Sequence, residues 1–156
     1  MTIETMAAMR QCPFFEEFQP KHMEKLMTLG SEVRFEKGEI IFREDDDPGL
    51  FYIILSGRVS LEANRRGRIF SLQTLYPREE FGWTAVLSRK RQLQARALEP
   101  VSAMSFEVSQ LRQACRNNPY FGCAFLERLF TVAAEQLQSA RLRLVTALAE
   151  AAANTP

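Results

Sequence analysis

The sequence predicts a mainly β domain, a sandwich or barrel of short antiparallel strands, with helical segments before and after it. Three observations carry this expectation. From Val33 to Phe106 the chain is a series of short apolar runs, "VRFEKGEIIFRE", "GLFYIILSG", "RVSLEAN", "RIFSLQTL", "RQLQARAL" and "PVSAMSFE", separated by turn signals. Within two of them the period is two: Val59, Leu61 and Ala63 alternate with Arg58, Ser60 and Glu62, and Leu93, Ala95 and Ala97 with Gln92, Gln94 and Arg96. On either side, apolar residues recur instead at helical spacing.

The N-terminal elements come first. Met6, Met9 and Arg10 lead into "CPFFEEF", where Pro13 breaks the run and Phe14, Phe15 and Phe18 form an apolar knot. In "QPKHMEKLMTLG", Met23, Leu26 and Met27 share a helix face between Pro20 and Gly30. His22, the only histidine, has no second ligand-type residue at a useful spacing and reads as a surface residue of this helix. In "ANRRGRIF", Gly67 is free to take the positive φ that a hairpin turn needs. The triplet Asp45–Asp47 reads as a turn, since no glycine-spaced calcium loop follows it.

After Phe106 the pattern returns to helix. "EVSQLRQACRNNP" is a short helix closed by Asn117, Asn118 and Pro119. A long helix then runs from Tyr120 to about Ala152. On it Leu126, Phe130, Ala133, Leu137, Ala140, Leu144 and Ala147 recur at alternating fours and threes, the seam of a helix packed along another helix. About 30 residues at 1.5 Å each span roughly 45 Å, more than a domain of this size requires. A parallel two-helix homodimer contact is therefore expected; packing on its own β domain throughout is the alternative.

Composition bounds the function. The 156 residues, 46% hydrophobic and 25% charged, make one ordinary domain with room for a core. Twenty Lys and Arg against nineteen Asp and Glu give +1 overall, so any anion site must be local. Cys12, Cys115 and Cys123 form no C-x-x-C pair, which argues against a disulfide framework or structural zinc and for a reducing compartment. No signal peptide or membrane-length apolar run is seen, and a cytoplasmic location is expected. No catalytic triad, Walker or Rossmann pattern can be assembled, so an enzyme is not expected, and neither is a metal or bound cofactor.

Particular residues go further. "FEKGEIIFREDDDPGLFYIILSGRVSLE", followed by "FG" and a basic-then-alternating strand, resembles the cyclic-nucleotide-binding domain family. This is the sensor domain of catabolite-activator-type regulators, kinase regulatory subunits and nucleotide-gated channels. The resemblance runs from "CPFFEEF" through the long helix, and the "FYIILSGRV" block with Gly38 and Gly57 is its most specific part. It implies a β-roll of jelly-roll type (a double-stranded β-helix) in a single domain. Residues 1–32 would be N-terminal helices, 33–106 the β-roll and 107–156 C-terminal helices.

The resemblance also implies a site. The family's phosphate-binding cassette, backbone N–H groups opening a short helix, maps onto Gly82 to Ala85. Its phosphate-contacting arginine maps onto Arg91, with Arg89 or Lys90 as substitutes in another loop register. The candidate ligand-binding residues are thus Phe81, Gly82, Trp83, Thr84, Ala85, Arg91 and Gln92, and the implied effector is cyclic AMP or cyclic GMP. This chain departs from the pattern at four places. Trp83 replaces the glutamate that accepts the ribose 2′-hydroxyl, a bond an indole cannot accept, worth roughly 1.5–3 kcal/mol. Arg78 and Asp45 stand where glycines are usual, and Gln92 with Leu93 replaces a small pair. Two readings of Trp83 stand, a plug in the pocket or a stacking platform, and two of Arg91, a solvated charge or an anion clamp.

The expected role is a regulatory sensor in which a ligand, a cyclic nucleotide or another small anionic effector, or a partner repositions the long helix. The alternative is an interaction or dimerisation module that binds no nucleotide, its pocket filled by Trp83. The family's transcription regulators carry a helix-turn-helix after the long helix; none is read here, so direct DNA binding is not expected of this chain.

Overall fold

A computed structural model describes residues 3–16, 18–87 and 89–153. The ends of the expected terminal segments, 1–2 and 154–156, lie outside the described residues. Helix α1 (Ile3–Arg10), a 3-10 turn (Pro13–Phe15) and α2 (Pro20–Met27) precede eight strands. These are β1 (Gly30–Phe35), β2 (Ile40–Phe42), β3 (Leu50–Ser56), β4 (Val59–Arg65), β5 (Arg68–Leu75), β6 (Glu80–Phe81), β7 (Gln94–Ala97) and β8 (Val101–Glu107). A second 3-10 turn (Trp83–Leu87) separates β6 from β7, and α3 (Val108–Asn117) and α4 (Pro119–Ala153) close the chain. β1 opens three residues earlier than the run beginning at Val33 suggests.

All strand pairs are antiparallel, in two four-stranded sheets ordered β1-β8-β3-β6 and β2-β7-β4-β5. This is the β-roll that the resemblance implied. β3 explains why its sequence is continuously apolar: it is covered on both faces. Tyr52 and Ile54 enter the core that also holds Val59, Leu75, Phe81, Ala95, Ala97, Val101 and Ala103. Phe51 and Ile53 enter a second core with Phe14, Phe15, Leu26, Phe106, Phe121 and Phe125. The phenylalanine knot seals this second core: Phe14 meets Phe15 edge-on at 4.9 Å and Phe125 at 5.8 Å. Each fully buried phenylalanine contributes about 1.5–3 kcal/mol of apolar burial.

Two expectations are corrected here. His22 is buried, its ring packed edge-on against Phe18 and Phe121 at 5.9 and 6.0 Å, because α2 turns that face onto the knot. Along β4 the simple alternation fails, since Ser60 and Glu62 are buried along with Val59 and Ala63. The register of β4 on β5 shifts between Leu61 and Glu62, and the supposed outer face is covered by polar partners. The Ser60 and Ser71 hydroxyls lie 2.9 Å apart, while Glu62 accepts from Gln94 Nε2 at 2.8 Å and Arg96 Nε at 3.2 Å.

Glycine-like backbone persists without glycine. Asp45, Arg66 and Arg78 all take positive φ, at 66°, 54° and 78°. Arg66 and Gly67 together make the β4–β5 turn, both left-handed as a two-residue hairpin loop requires. In the turn before β6, Tyr76 N–H donates to Glu79 Oε2 at 2.7 Å and Arg78 N–H to Ile54 O at 2.8 Å, which fix Arg78 in its conformation.

α4 is 35 residues, about 52 Å at 1.5 Å per residue. Its first half packs on the domain through Phe121, Gly122, Phe125, Leu129 and Val132. Arg128 locks that half to the N-terminal turn by donating to Phe14 O at 2.8 Å and Pro13 O at 2.6 Å. Further along, Arg143 Nη1 donates to Leu72 O of β5 at 2.8 Å. No helix among the described residues is long and apolar enough to cross a membrane.

Candidate functional site

Between the β2-β7-β4-β5 sheet, the Trp83–Leu87 turn and α4 lies a cavity of about 240 Å³. Phe42, Leu61, Gly82, Trp83, Thr84, Arg91, Gln92, Leu93 and Gln136 line it. Five of the seven candidate ligand-binding residues are thus brought together: Gly82, Trp83, Thr84, Arg91 and Gln92. Phe81 and Ala85 are not among its walls. Phe81 is buried in the inter-sheet core, stacked on Tyr52 at 4.8 Å, and Ala85 is buried in the core beneath the helices.

Arg91 is the chemical centre of the cavity. Of the run Arg89-Lys90-Arg91, the first two are exposed, and the third is turned inward with 4% of its surface exposed. Its backbone is held by the aspartate loop, with Arg91 N–H donating to Asp46 O at 3.1 Å and Asp45 N–H to Arg91 O at 2.8 Å. The guanidinium carbon sits 4.2 Å from the centre of the Phe42 ring, a cation–π contact. Nη1 donates to Gly82 O at 2.7 Å, and Nη2 donates to Leu50 O. Nε has no hydrogen-bond partner, and no carboxylate among the described residues forms an ion pair with Arg91.

Burial pulls the arginine's proton affinity down, opposed by Tyr52 and Asp46. A guanidinium nevertheless does not deprotonate in a protein, so a permanent cation lies buried with no ion-paired carboxylate among the described residues. Gly82 has to be glycine for this geometry. Its φ is +74°, and a Cβ there would lie 2.8 Å from Arg91 Nη1 and 3.2 Å from Leu50 O.

Trp83 is half-buried and packs against the helical core, and its indole forms one wall of the cavity, which stays open beside it. Its Nε1–H donates to Gln136 Oε1 of α4 at 3.2 Å. This single bond joins the turn at the site to the long helix. Gln136 escaped sequence reasoning, as did Phe42, Leu61 and Leu93 as cavity walls. A signal for Gln136 was present: Leu129, Val132, Gln136, Ser139 and Arg143 continue one helical stripe, and the stripe turns polar where it leaves the core.

A second cavity of about 350 Å³ adjoins the first and shares Leu93 and Gln136 with it. Its charge is opposite: Glu79, Glu80 and Glu135 line it, with Arg143 the one cation in its wall. Burial pushes the Glu80 carboxyl up to about 7, and the neighbouring charges of Glu79 and Glu135 push the same way.

On the α4 seam, Leu126, Phe130, Leu137 and Leu144 are 52%, 77%, 52% and 59% exposed, so the domain's own core does not cover them. Ala133 is half-buried and Ala140 exposed on the same stripe. Among the described residues there is no cluster of metal-ligating side chains.

Comparison with known proteins identifies the setting of this site. The sequence model of the cyclic nucleotide-binding domain matches residues 32–118. No curated protein sequence matches the chain. A cyclic nucleotide-binding domain from Methylobacillus flagellatus is similar in structure, with a TM-score of 0.80 at 16% identity over 92% of this chain and 82% of that one. The catabolite activator protein of Thermus thermophilus gives 0.74 at 24% identity, covering 86% of this chain and 62% of that one. The regulatory domain of Toxoplasma gondii PKA, solved with cAMP, gives 0.65 at 19% identity over 70% and 42%.

Proposed function

The chain belongs to the cyclic nucleotide-binding domain family, and on that premise we propose that it is a regulatory sensor for a small anionic effector held at Arg91. One observation carries the reading: a permanent cation, 4% exposed, lines a cavity with its Nε unpartnered and, among the described residues, no carboxylate in an ion pair with it. Burying a charge is expensive unless it is paired. Two carbonyl oxygens and the Phe42 face offset part of that expense, and an entering anion supplies the rest. Cyclic AMP and cyclic GMP are the family's effectors and the first candidates.

Occupancy is passed on through Trp83. A ligand in the cavity touches both partners of the Trp83–Gln136 bond, so it favours whichever placement of α4 it fits better, by its difference in affinity for the two. The seam Leu126, Phe130, Ala133, Leu137, Ala140 and Leu144, exposed except at half-buried Ala133, then carries that shift to a second copy of the chain in a parallel homodimer. The competing reading, an interaction module closed by Trp83, predicts the same dimer with no ligand response.

Calorimetric titration with cyclic AMP and cyclic GMP separates them, with Arg91→Ala and Trp83→Glu alongside. Saturable binding by the parent chain that Arg91→Ala abolishes supports the sensor. Silence in the parent with binding regained in Trp83→Glu supports a closed scaffold.

A further inference from the structure

We infer that the Arg91 cavity selects a compact organic monoanion with an apolar body, of the arylcarboxylate class, over a cyclic nucleotide. This rests on the reading that Arg91 holds an anion and specifies what else that anion must be. The first ground is hydrogen-bonding chemistry. Among the described residues that line the cavity there is no carboxylate. Trp83 offers a donor only, Gln136 Oε1 already takes the Trp83 N–H, and the remaining side-chain acceptors are neutral, the Thr84 hydroxyl and the Gln92 amide oxygen. The sugar hydroxyls of a nucleotide would find only neutral side-chain acceptors there, weaker partners than a carboxylate.

The second ground is the wall. Phe42, Leu61, Trp83 and Leu93 present apolar or aromatic surface around one guanidinium, the pattern of a site that reads one charge and one apolar body. The third is size and field. At about 240 Å³ the cavity falls below the roughly 300–1,000 Å³ usual for larger organic ligands. A longer ligand would have to extend past Leu93 and Gln136 into the cavity of Glu79, Glu80 and Glu135, or past Arg91 and Gln92 into the open groove lined by Glu44, Asp45, Arg65, Arg89 and Lys90. On the first of these sides Glu79 and Glu135 repel a second negative group.

The chain contains a single tryptophan, and it is part of the wall, so its intrinsic fluorescence reports occupancy without a label. Phenylacetate, its neutral isostere phenylacetamide, and cyclic AMP are titrated into the full chain and into Arg91→Lys, which keeps the charge and loses the planar fork. Cyclic AMP and cyclic GMP are followed by calorimetry in parallel. The expected result is saturable quenching by phenylacetate, weakened about 10- to 150-fold for phenylacetamide and at least about tenfold in Arg91→Lys, with no displacement by cyclic AMP. Equal affinity for phenylacetate and phenylacetamide overturns the inference, because the charge is then not read. Tighter binding of cyclic AMP that Arg91→Lys weakens overturns it while leaving the sensor reading intact. No saturable response to phenylacetate, cyclic AMP or cyclic GMP overturns both.

Discussion

Replacing Trp83 by phenylalanine and Gln136 by alanine, singly and together, isolates the bond that ties the site to the long helix. The Nε1···Oε1 distance of 3.2 Å is at the long end of the normal range, and both side chains are half-buried and neutral. A neutral hydrogen bond contributes about 0.5–1.5 kcal/mol net, and this geometry places the coupling in the lower half, about 0.5–1 kcal/mol. Each single variant loses more than that, since Trp83→Phe also removes indole packing against the helical core. The double-mutant cycle cancels those separate losses and leaves the pairwise term. Urea unfolding followed by far-UV circular dichroism is the suitable assay, because the variants lacking Trp83 have no tryptophan signal. Additive losses, agreeing within about 0.3 kcal/mol, would refute the claim that this bond couples the cassette to α4.

Other outcomes follow from the same geometry. Arg78→Gly relieves a left-handed arginine, a conformation that disfavours an L-residue by about 1–2 kcal/mol, against about 0.5–1 kcal/mol of added chain entropy in the unfolded glycine variant. It raises the thermal midpoint by up to about 6 °C, whereas Gly57→Ala lowers it, since its new Cβ lies 2.4 Å from Pro100 O; a destabilised Arg78→Gly contradicts the strain. Glu80 binds its proton more tightly folded than unfolded, up to about 7 against an ordinary 4.5, so its stabilising effect is present below pH 4.5 and lost as pH rises through 7. Urea midpoints between pH 5 and 8 fall more steeply in the parent than in Glu80→Gln, a difference on the order of 2–3 kcal/mol; parallel profiles would show that Glu80 is not the group. Phe130→Glu with Leu137→Glu converts the proposed dimer to a folded monomer in sedimentation equilibrium, and a parent chain that already sediments as a monomer removes the seam's proposed role.

What was legible in the sequence is what burial writes locally. The phenylalanine knot, the double-covered β3 and the stripe of α4 each leave a periodic or continuous apolar pattern, because neighbours in sequence share one environment. Long-range pairing leaves no such trace. Glu62 reads as a solvent-facing strand residue, yet it is buried by Gln94 and Arg96, which are 32 and 34 positions away. Arg91 sits in a basic run that looks solvated; only Phe42 beneath it and the carbonyls of Leu50 and Gly82 beside it turn it inward. Arg78 and Asp45 show the converse: the glycines are absent, but surrounding hydrogen bonds keep the left-handed backbone that a glycine would have signalled. Trp83 was visible as a departure, and its partner Gln136, 53 residues on, was not.

The central claim is that a buried cation at Arg91 completes itself with an anion. Thermal unfolding of the parent chain and of Arg91→Met, each with and without saturating phenylacetate or cyclic AMP at matched ionic strength, tests it most directly. At one hundred times its dissociation constant a ligand stabilises by about 2.7 kcal/mol, which the account predicts as a rise of about 5–11 °C in the parent and none in Arg91→Met. A parent midpoint that neither anion moves, or one that moves equally in both chains, would contradict it.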